Sequence, residues 1–94
     1  MAIDRLRWAR SATKHRVAKA RSRYVIEHAG LRLPVPSPEP TADQRLLYLG
    51  DDQLGVPLEV IAVELATSEL LVIHAMKMRE RYRPEYLEAM KWRV

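Results

Sequence analysis

The apolar residues between positions 45 and 76 fall into three short runs. They read "RLLYLG" at 45–50, "VPLEVIAVEL" at 56–65 and "ELLVIHAM" at 69–76, and the polar stretches "DDQLG" and "ATS" separate them. β-Branched residues are frequent in the second and third runs, which favours strands over helices. Because such short connections join antiparallel neighbours, the pattern predicts an antiparallel meander over residues 45–76.

The segment "SATKHRVAKARSRYVIEHAG" has its apolar residues at helical spacing and predicts a helix over 11–29. Ser11 or Thr13 can cap the first amides, and Gly30 can end the helix. A mostly cationic stripe follows one side of this predicted helix and consists of Arg16, Lys19, Arg23 and Glu27.

Prolines define the rest of the chain. Four of them in "LRLPVPSPEPTADQ" predict an extended connection over 31–44, in which Leu31–Val35 can form an edge strand. Pro84 suits the first position of a C-terminal helix over 84–93, so the residues before it form a basic connector. The predicted fold is a single α+β domain over 1–94, in which a small antiparallel meander sheet packs with an N-terminal and a C-terminal helix.

The composition is that of one small domain: 94 residues, 48% hydrophobic and 30% charged. The absence of cysteine excludes disulfides and thiolate metal sites, and His15, His28 and His74 lack metal-ligand spacing. Neither a metal nor another cofactor is therefore predicted. No apolar run approaches the length of a membrane span or has signal-peptide character, so we expect a cytoplasmic protein that does not contact membranes.

Positive charge is concentrated at the two ends of the chain. Residues 1–32 hold nine Lys or Arg and two acids, residues 33–76 hold one Arg and seven acids, and residues 77–94 hold six Lys or Arg and three acids. If folding brings the ends together, they form a positive patch suited to a polyanion. Solvated helices would carry the same charges, and the sequence leaves both interpretations open.

His74 interrupts the apolar pattern of the third predicted strand. Strict alternation puts Leu70, Val72, His74 and Met76 on one face of that strand. A lone histidine there is commonly a structural residue with satisfied hydrogen bonds. Four cations follow this histidine and favour a functional role for it over a structural one. They are Lys77, Arg79, Arg81 and Arg83. Cleavage of an RNA phosphodiester requires a proton acceptor, a proton donor and groups that hold the phosphate, and histidine with arginine supplies all of these.

Three segments resemble the RelE/ParE superfamily of bacterial toxins, and most nearly its BrnT-like ribonuclease toxins. "KHRV" at 14–17 is similar to that family's Lys-His-Gly-Val segment, with Arg16 in place of glycine. "RLLYLGDDQLGVPLEVIAVE" at 45–64 resembles its arginine-led hairpin. "LVIHAMKMRERYRPEY" resembles its third strand and basic segment, with His74 and Met76 where BrnT-like proteins tend to have serine and arginine. A histidine after this strand also occurs in relatives of the HigB type.

The resemblance implies a RelE-like fold and a cytoplasmic bacterial toxin that cleaves messenger RNA, ribosome-bound or free, without a metal. It implies a cognate antitoxin as partner, with DNA contacted only through the antitoxin complex. We predict His74, Lys77, Arg79 and Arg81 as catalytic residues. The predicted RNA-binding residues are Lys14, His15, Arg16, Lys19, Arg23, Arg45 and Arg83.

Two other functions fit the same residues. A nucleic-acid-binding protein without catalysis would use the basic stripe to contact phosphates. A protein-interaction module would use it to dock an acidic partner.

Overall fold

A computed structural model of the chain describes residues 5–36 and 44–91. The strands are β1 (Leu6–Trp8), β2 (Leu31–Val35), β3 (Arg45–Asp51), β4 (Pro57–Glu64) and β5 (Leu70–Lys77). The helices are α1 (Lys19–Glu27) and α2 (Arg83–Lys91), and short 3-10 helices span Arg10–Thr13 and Glu80–Tyr82.

The strands form one sheet in the order β1-β5-β4-β3-β2. The predicted meander β3-β4-β5 is confirmed, and β2 extends it as an antiparallel edge strand at Leu31–Val35. The predicted sheet was an antiparallel meander, whereas the observed sheet is mixed, because β1 pairs in parallel with β5, with Leu6 opposite Leu70 and Trp8 opposite Val72. The fold is therefore a small α+β domain with a mixed five-stranded sheet and two helices.

The predicted helix over 11–29 is too long at its N-terminal end. The chain forms the 3-10 helix Arg10–Thr13, turns at Arg16 with a φ of 60°, and enters α1 only at Lys19. A left-handed φ is incompatible with a continuous right-handed helix. Neither predicted cap serves α1, since the Ser11 hydroxyl donates to the Ile73 carbonyl at 2.7 Å and the Thr13 hydroxyl to the Arg10 carbonyl at 2.8 Å.

The two helices cover opposite faces of the sheet. Val25 and Ile26 of α1 pack on one face, whose central residue, Val60, is fully buried. Tyr86 of α2 packs on the other face with Leu47 and Leu49. Alternation along the strands produces this two-sided core.

Gly30 allows α2 to approach the start of β2. A β-carbon at Gly30 would lie 2.8 Å from the sulfur of Met90 and 3.1 Å from Cε1 of Tyr86. The prediction that Gly30 ends the first helix is wrong, because α1 ends at Glu27 with His28 as its C-cap. Residues 37–43 of the predicted connection, and the last residues of the helix predicted over 84–93, lie outside the described residues.

Asp52 shapes the turn between β3 and β4. Asp52 is 3% exposed, and its carboxylate accepts hydrogen bonds from the amides of Leu54 and Val56 and from Nε of Arg21 at 2.6 Å. Burial acts to raise the pKa of Asp52, but these hydrogen bonds outweigh it and the net pKa is lowered. Asp52 is thus a structural residue that fixes the turn and ties α1 to it.

Candidate functional site

A fully buried carboxylate organises a cluster of polar side chains. Glu59, in the middle of β4, is 0% exposed. Oε1 accepts hydrogen bonds from the Arg79 amide at 2.8 Å and from Arg79 Nε at 3.0 Å. Oε2 accepts from Arg79 Nη2 at 2.7 Å and from His74 Nε2 at 2.9 Å. We call Glu59, His74 and Arg79 the Glu59 cluster.

A β-bulge brings His74 to Glu59. Ala62 is paired with Val72 but Ile61 with His74, so Ile73 is an extra residue in β5. Paired residues of antiparallel strands share a face, and therefore His74 lies on the face of Ile61 and Glu59. The predicted alternation, which put His74 on the face of Leu70 and Val72, is wrong because the bulge reverses the faces after Val72.

The chain after β5 is anchored so that Arg79 returns to Glu59. Met78 is buried, and its amide donates to the Pro57 carbonyl at 3.0 Å. Arg79 follows in an extended conformation, with φ of −77° and ψ of 154°, immediately before the 3-10 helix Glu80–Tyr82. Both its amide and its guanidinium therefore point to the same carboxylate.

The hydrogen bonds keep Glu59 and Arg79 charged. Burial acts to raise the pKa of Glu59, but the hydrogen bonds from Arg79 and His74 outweigh it, and the net pKa lies below the ordinary value. The hydrogen bond to Glu59 raises the pKa of Arg79. The pair offsets its own charge, which is the condition under which a buried carboxylate is tolerated.

The ionised carboxylate also fixes the tautomer of His74. A carboxylate accepts hydrogen bonds and cannot donate one, so Nε2 of His74 must carry the hydrogen. In the neutral ring Nδ1 is then the acceptor. None of the described residues hydrogen-bonds to Nδ1, and the side chain is 22% exposed. In its neutral form, His74 therefore has Nδ1 as its proton-accepting atom.

His15 lies beside His74. The two ring centroids are 5.7 Å apart and the rings are inclined at 74°. The 3-10 helix Arg10–Thr13 brings this segment to the edge of β5, where the Ser11 hydroxyl bonds the carbonyl of the bulge residue, Ile73. The basic N-terminal segment and the basic segment after β5 thus meet here.

Tyr82 contacts both Arg79 of the Glu59 cluster and Arg81. Nη2 of Arg81 donates to the Tyr82 hydroxyl at 2.7 Å. The guanidinium carbons of Arg81 and Arg79 lie 4.7 and 5.7 Å from the centre of the ring. We call the surface formed by His15, His74, Arg79 and Arg81 the rim. Arg81 is exposed there, and it is the predicted catalytic arginine with no carboxylate contact among the described residues.

Lys77 and Arg83 are not brought into the Glu59 cluster. Lys77 is paired with Leu58, so its side chain lies on the face opposite to His74. Arg83 opens α2 and forms an ion pair with Glu80 at 3.3 Å. Arg45 shares the face of His74 but lies two strands away, on β3.

The predicted RNA-binding residues of the N-terminal half divide into two groups. Lys14 and Arg16 are exposed on either side of His15, next to the Glu59 cluster. Lys19 and Arg23 lie instead over the ring of Trp8, with their charged groups 5.6 and 5.4 Å from its centre. The first group extends the surface at His74, and the second packs on β1.

Glu59 is the functional residue that the sequence analysis missed. The run "VPLEVIAVEL" holds two acids, Glu59 and Glu64, each between apolar residues, and a buried acid requires a partner, but the pattern does not show which of the two is buried. The partners of Glu59 lie 15 and 20 residues further along the chain, at separations that no local pattern links.

The described residues contain no group of three His, Asp or Glu side chains placed to hold a metal ion. Over the same ranges no helix is long and apolar enough to cross a membrane. Comparison of the chain with protein-family models, curated proteins and solved structures found no match.

Proposed function

We propose that this protein is a metal-independent endoribonuclease, and that it acts as the toxin of a bacterial toxin-antitoxin pair. The observation that carries the nuclease part is His74, oriented by buried Glu59 at an exposed cationic rim. The toxin part rests on the resemblance: a RelE-like toxin of the cytoplasm, messenger RNA as substrate, a cognate antitoxin as partner, and DNA contacted only through that complex.

The geometry suits the transesterification of RNA. Nδ1 of His74 accepts the proton of a 2′-hydroxyl while the 2′-oxygen attacks phosphorus. The bond from phosphorus to the 5′-oxygen then breaks, which leaves a 2′,3′-cyclic phosphate and a 5′-hydroxyl. Glu59 is the positioning residue, because its hydrogen bond to Nε2 keeps the lone pair on Nδ1.

Phosphate binding falls mainly to Arg81. The hydrogen bonds of Arg79 to Glu59 use the Nε hydrogen and one of the two Nη2 hydrogens, and the carboxylate offsets the charge of Arg79. Arg81 keeps donors beyond its single hydrogen bond to Tyr82. Arg79 and Arg81 were both predicted to be catalytic, and we assign them unequal roles: Arg81 binds phosphate, and Arg79 chiefly holds Glu59.

The backbone at Arg16 supports the proposed relationship to BrnT-like toxins. Arg16 stands where those proteins have glycine, and its φ of 60° lies in the region that glycine adopts freely. A glycine motif at this position therefore has a conformational reason in this chain.

The test is cleavage of a defined messenger RNA by purified protein, alone and with translating ribosomes, in the presence of a metal chelator. We expect wild type to cleave, with new 5′-hydroxyl ends, and His74→Ala to lose about 10²-fold or more of the rate. His28→Ala is the matched control, because His28 stacks on Tyr24 at the end of α1 and is outside the Glu59 cluster. Growth arrest in cells should follow the same order.

Intact RNA under both conditions, together with equal toxicity of wild type and His74→Ala, would remove the catalytic proposal. Circular dichroism of each variant separates loss of chemistry from loss of fold.

The second candidate is a nucleic-acid-binding protein without catalysis. The ion pair between Arg79 and Glu59 favours this candidate, because an arginine that compensates a buried carboxylate has a structural role without any catalysis. Salt-dependent RNA binding with no product, unchanged in His74→Ala, is the result that would select it.

A further inference from the structure

Transesterification of RNA needs a proton donor as well as a proton acceptor, and a second imidazole stands next to His74. We propose that His15 is the general acid of this site and protonates the departing 5′-oxygen of single-stranded RNA. The inference rests on the proposed ribonuclease function and adds a catalytic role to a residue predicted only to bind RNA.

The assignment of roles follows from Glu59. Its carboxylate fixes the hydrogen of His74 on Nε2 and makes Nδ1 an acceptor, so His74 is the base. His15 has no carboxylate partner among the described residues and is exposed. Protonated His15 can therefore turn a donor toward the substrate without losing a hydrogen bond to the protein.

The distance between the rings suits one phosphate. A centroid separation of 5.7 Å in an edge-to-face arrangement places the two rings in contact, at the same rim. A phosphate resting against both rings would have its 2′-oxygen within reach of one imidazole and its 5′-oxygen within reach of the other, at about 2.6–3.2 Å. Arg79 and Arg81, whose guanidinium groups both lie near the ring of Tyr82, supply positive charge for the RNA backbone beside this site.

The backbone holds His15 in this position. Ala12 and Val17 are buried on either side of it, at 2% and 7% exposure, and Ser11 is hydrogen-bonded to Ile73. Between these anchors the chain turns outward through Arg16 in a left-handed conformation. Such a conformation in a residue other than glycine persists only when its surroundings enforce it.

The protons balance. The 2′-hydroxyl gives its proton to Nδ1 of His74, the 2′-oxygen forms a bond to phosphorus, and the bond to the 5′-oxygen breaks. His15 transfers its proton to that oxygen. The site ends with the protonation states of the two histidines exchanged, and solvent restores them.

Two substrates separate an acid from a base. One is an RNA oligonucleotide, whose alkoxide leaving group needs a proton; the other is a ribonucleoside 3′-(4-nitrophenyl phosphate), whose phenolate leaves without one. We expect His15→Ala to lose about 10²-fold or more on RNA and less than about 10-fold on the aryl ester. His74→Ala should lose activity on both substrates, and His28→Ala on neither.

Binding of a 2′-O-methyl RNA that cannot be cleaved provides the second readout. His15→Ala and His15→Gln should keep its Kd within about threefold, because the proposed effect is on the chemical step. An RNA cleavage rate equal to wild type in His15→Ala, or equal losses on both substrates, would overturn the assignment while leaving the nuclease proposal standing. If wild type cleaved neither substrate, the proposed function itself would fail.

Discussion

At the scale of single residues, Glu59 determines what His74 and Arg79 can do. One carboxylate fixes the tautomer of the histidine and accepts hydrogen bonds from Nε and Nη2 of the arginine. The sequence identified His74 and Arg79 because a histidine followed by cations is visible as a local pattern. It could not identify Glu59, whose role depends on strand pairing, nor the face of His74, because Ile73 looks like any other strand residue until the bulge is known.

The lowered pKa of Glu59 predicts how stability depends on pH. The folded pKa lies below the ordinary glutamate value of about 4.3, so the unfolded chain binds the proton more tightly. The contribution of Glu59 is therefore fully present above that value and is lost as pH falls through the folded pKa. Urea unfolding should show Glu59→Gln less stable than wild type by about 2–3 kcal/mol at pH 7, because Arg79 loses its partner but is 41% exposed.

The free-energy gap between wild type and Glu59→Gln should narrow steadily below about pH 4.3. Asp52 and the other carboxylates are present in both proteins, so their own titration largely cancels in the difference. Glu80→Gln is the control, since Glu80 is 91% exposed and its replacement should change stability by less than about 0.5 kcal/mol at any pH. A gap that stayed constant from pH 7 to pH 3 would contradict the ion-pair account of Glu59.

At the scale of elements, the meander was predictable and β1 was not. Three apolar runs with short polar connections predict β3, β4 and β5. The three residues of β1 lie in a basic stretch and pair with a strand more than sixty positions away, so they leave no periodic signal. The first helix was predicted too long because the residue pattern keeps helical spacing through Arg16, although the backbone at Arg16 is not helical.

Replacement of Arg16 by glycine should stabilise the fold. A φ of 60° costs an ordinary residue about 1–2 kcal/mol, whereas glycine adopts it freely but loses about 0.5–1 kcal/mol through greater freedom in the unfolded chain. We expect Arg16→Gly to raise the free energy of unfolding by about 0.5–1 kcal/mol, measured by chemical denaturation. Lys14→Gly, two residues earlier at a φ of −57°, should lower it by about the same amount. Equal destabilisation by both changes would show that Arg16 is not strained.

At the scale of the whole molecule, the basic N-terminal segment and the basic segment after β5 contribute to one surface. The parallel pairing of β1 with β5 starts the N-terminal segment along the strand that leads to Arg79 and Arg81. Contact between His15 and His74 then joins the two basic segments at one rim. The sequence alone shows that positive charge is concentrated at the two ends of the chain. It does not show that the two basic segments meet, because their contact depends on the pairing of β1 with β5.

Contact between the two basic segments predicts that cations from both contribute to RNA affinity. Each phosphate contact with single-stranded nucleic acid adds about 0.7 to the slope of log Kobs against log salt concentration. With a 2′-O-methyl RNA, the slope should fall by about 0.7 in Lys14→Gln, by a similar amount in Arg81→Gln, and by about 1.4 in the double variant. Lys91→Gln removes the same charge from α2, where Lys91 pairs with Glu88, and should leave the slope unchanged. If Lys91→Gln lowered the slope as much as the other two, the RNA would be held by net charge alone and the rim would not be its binding surface.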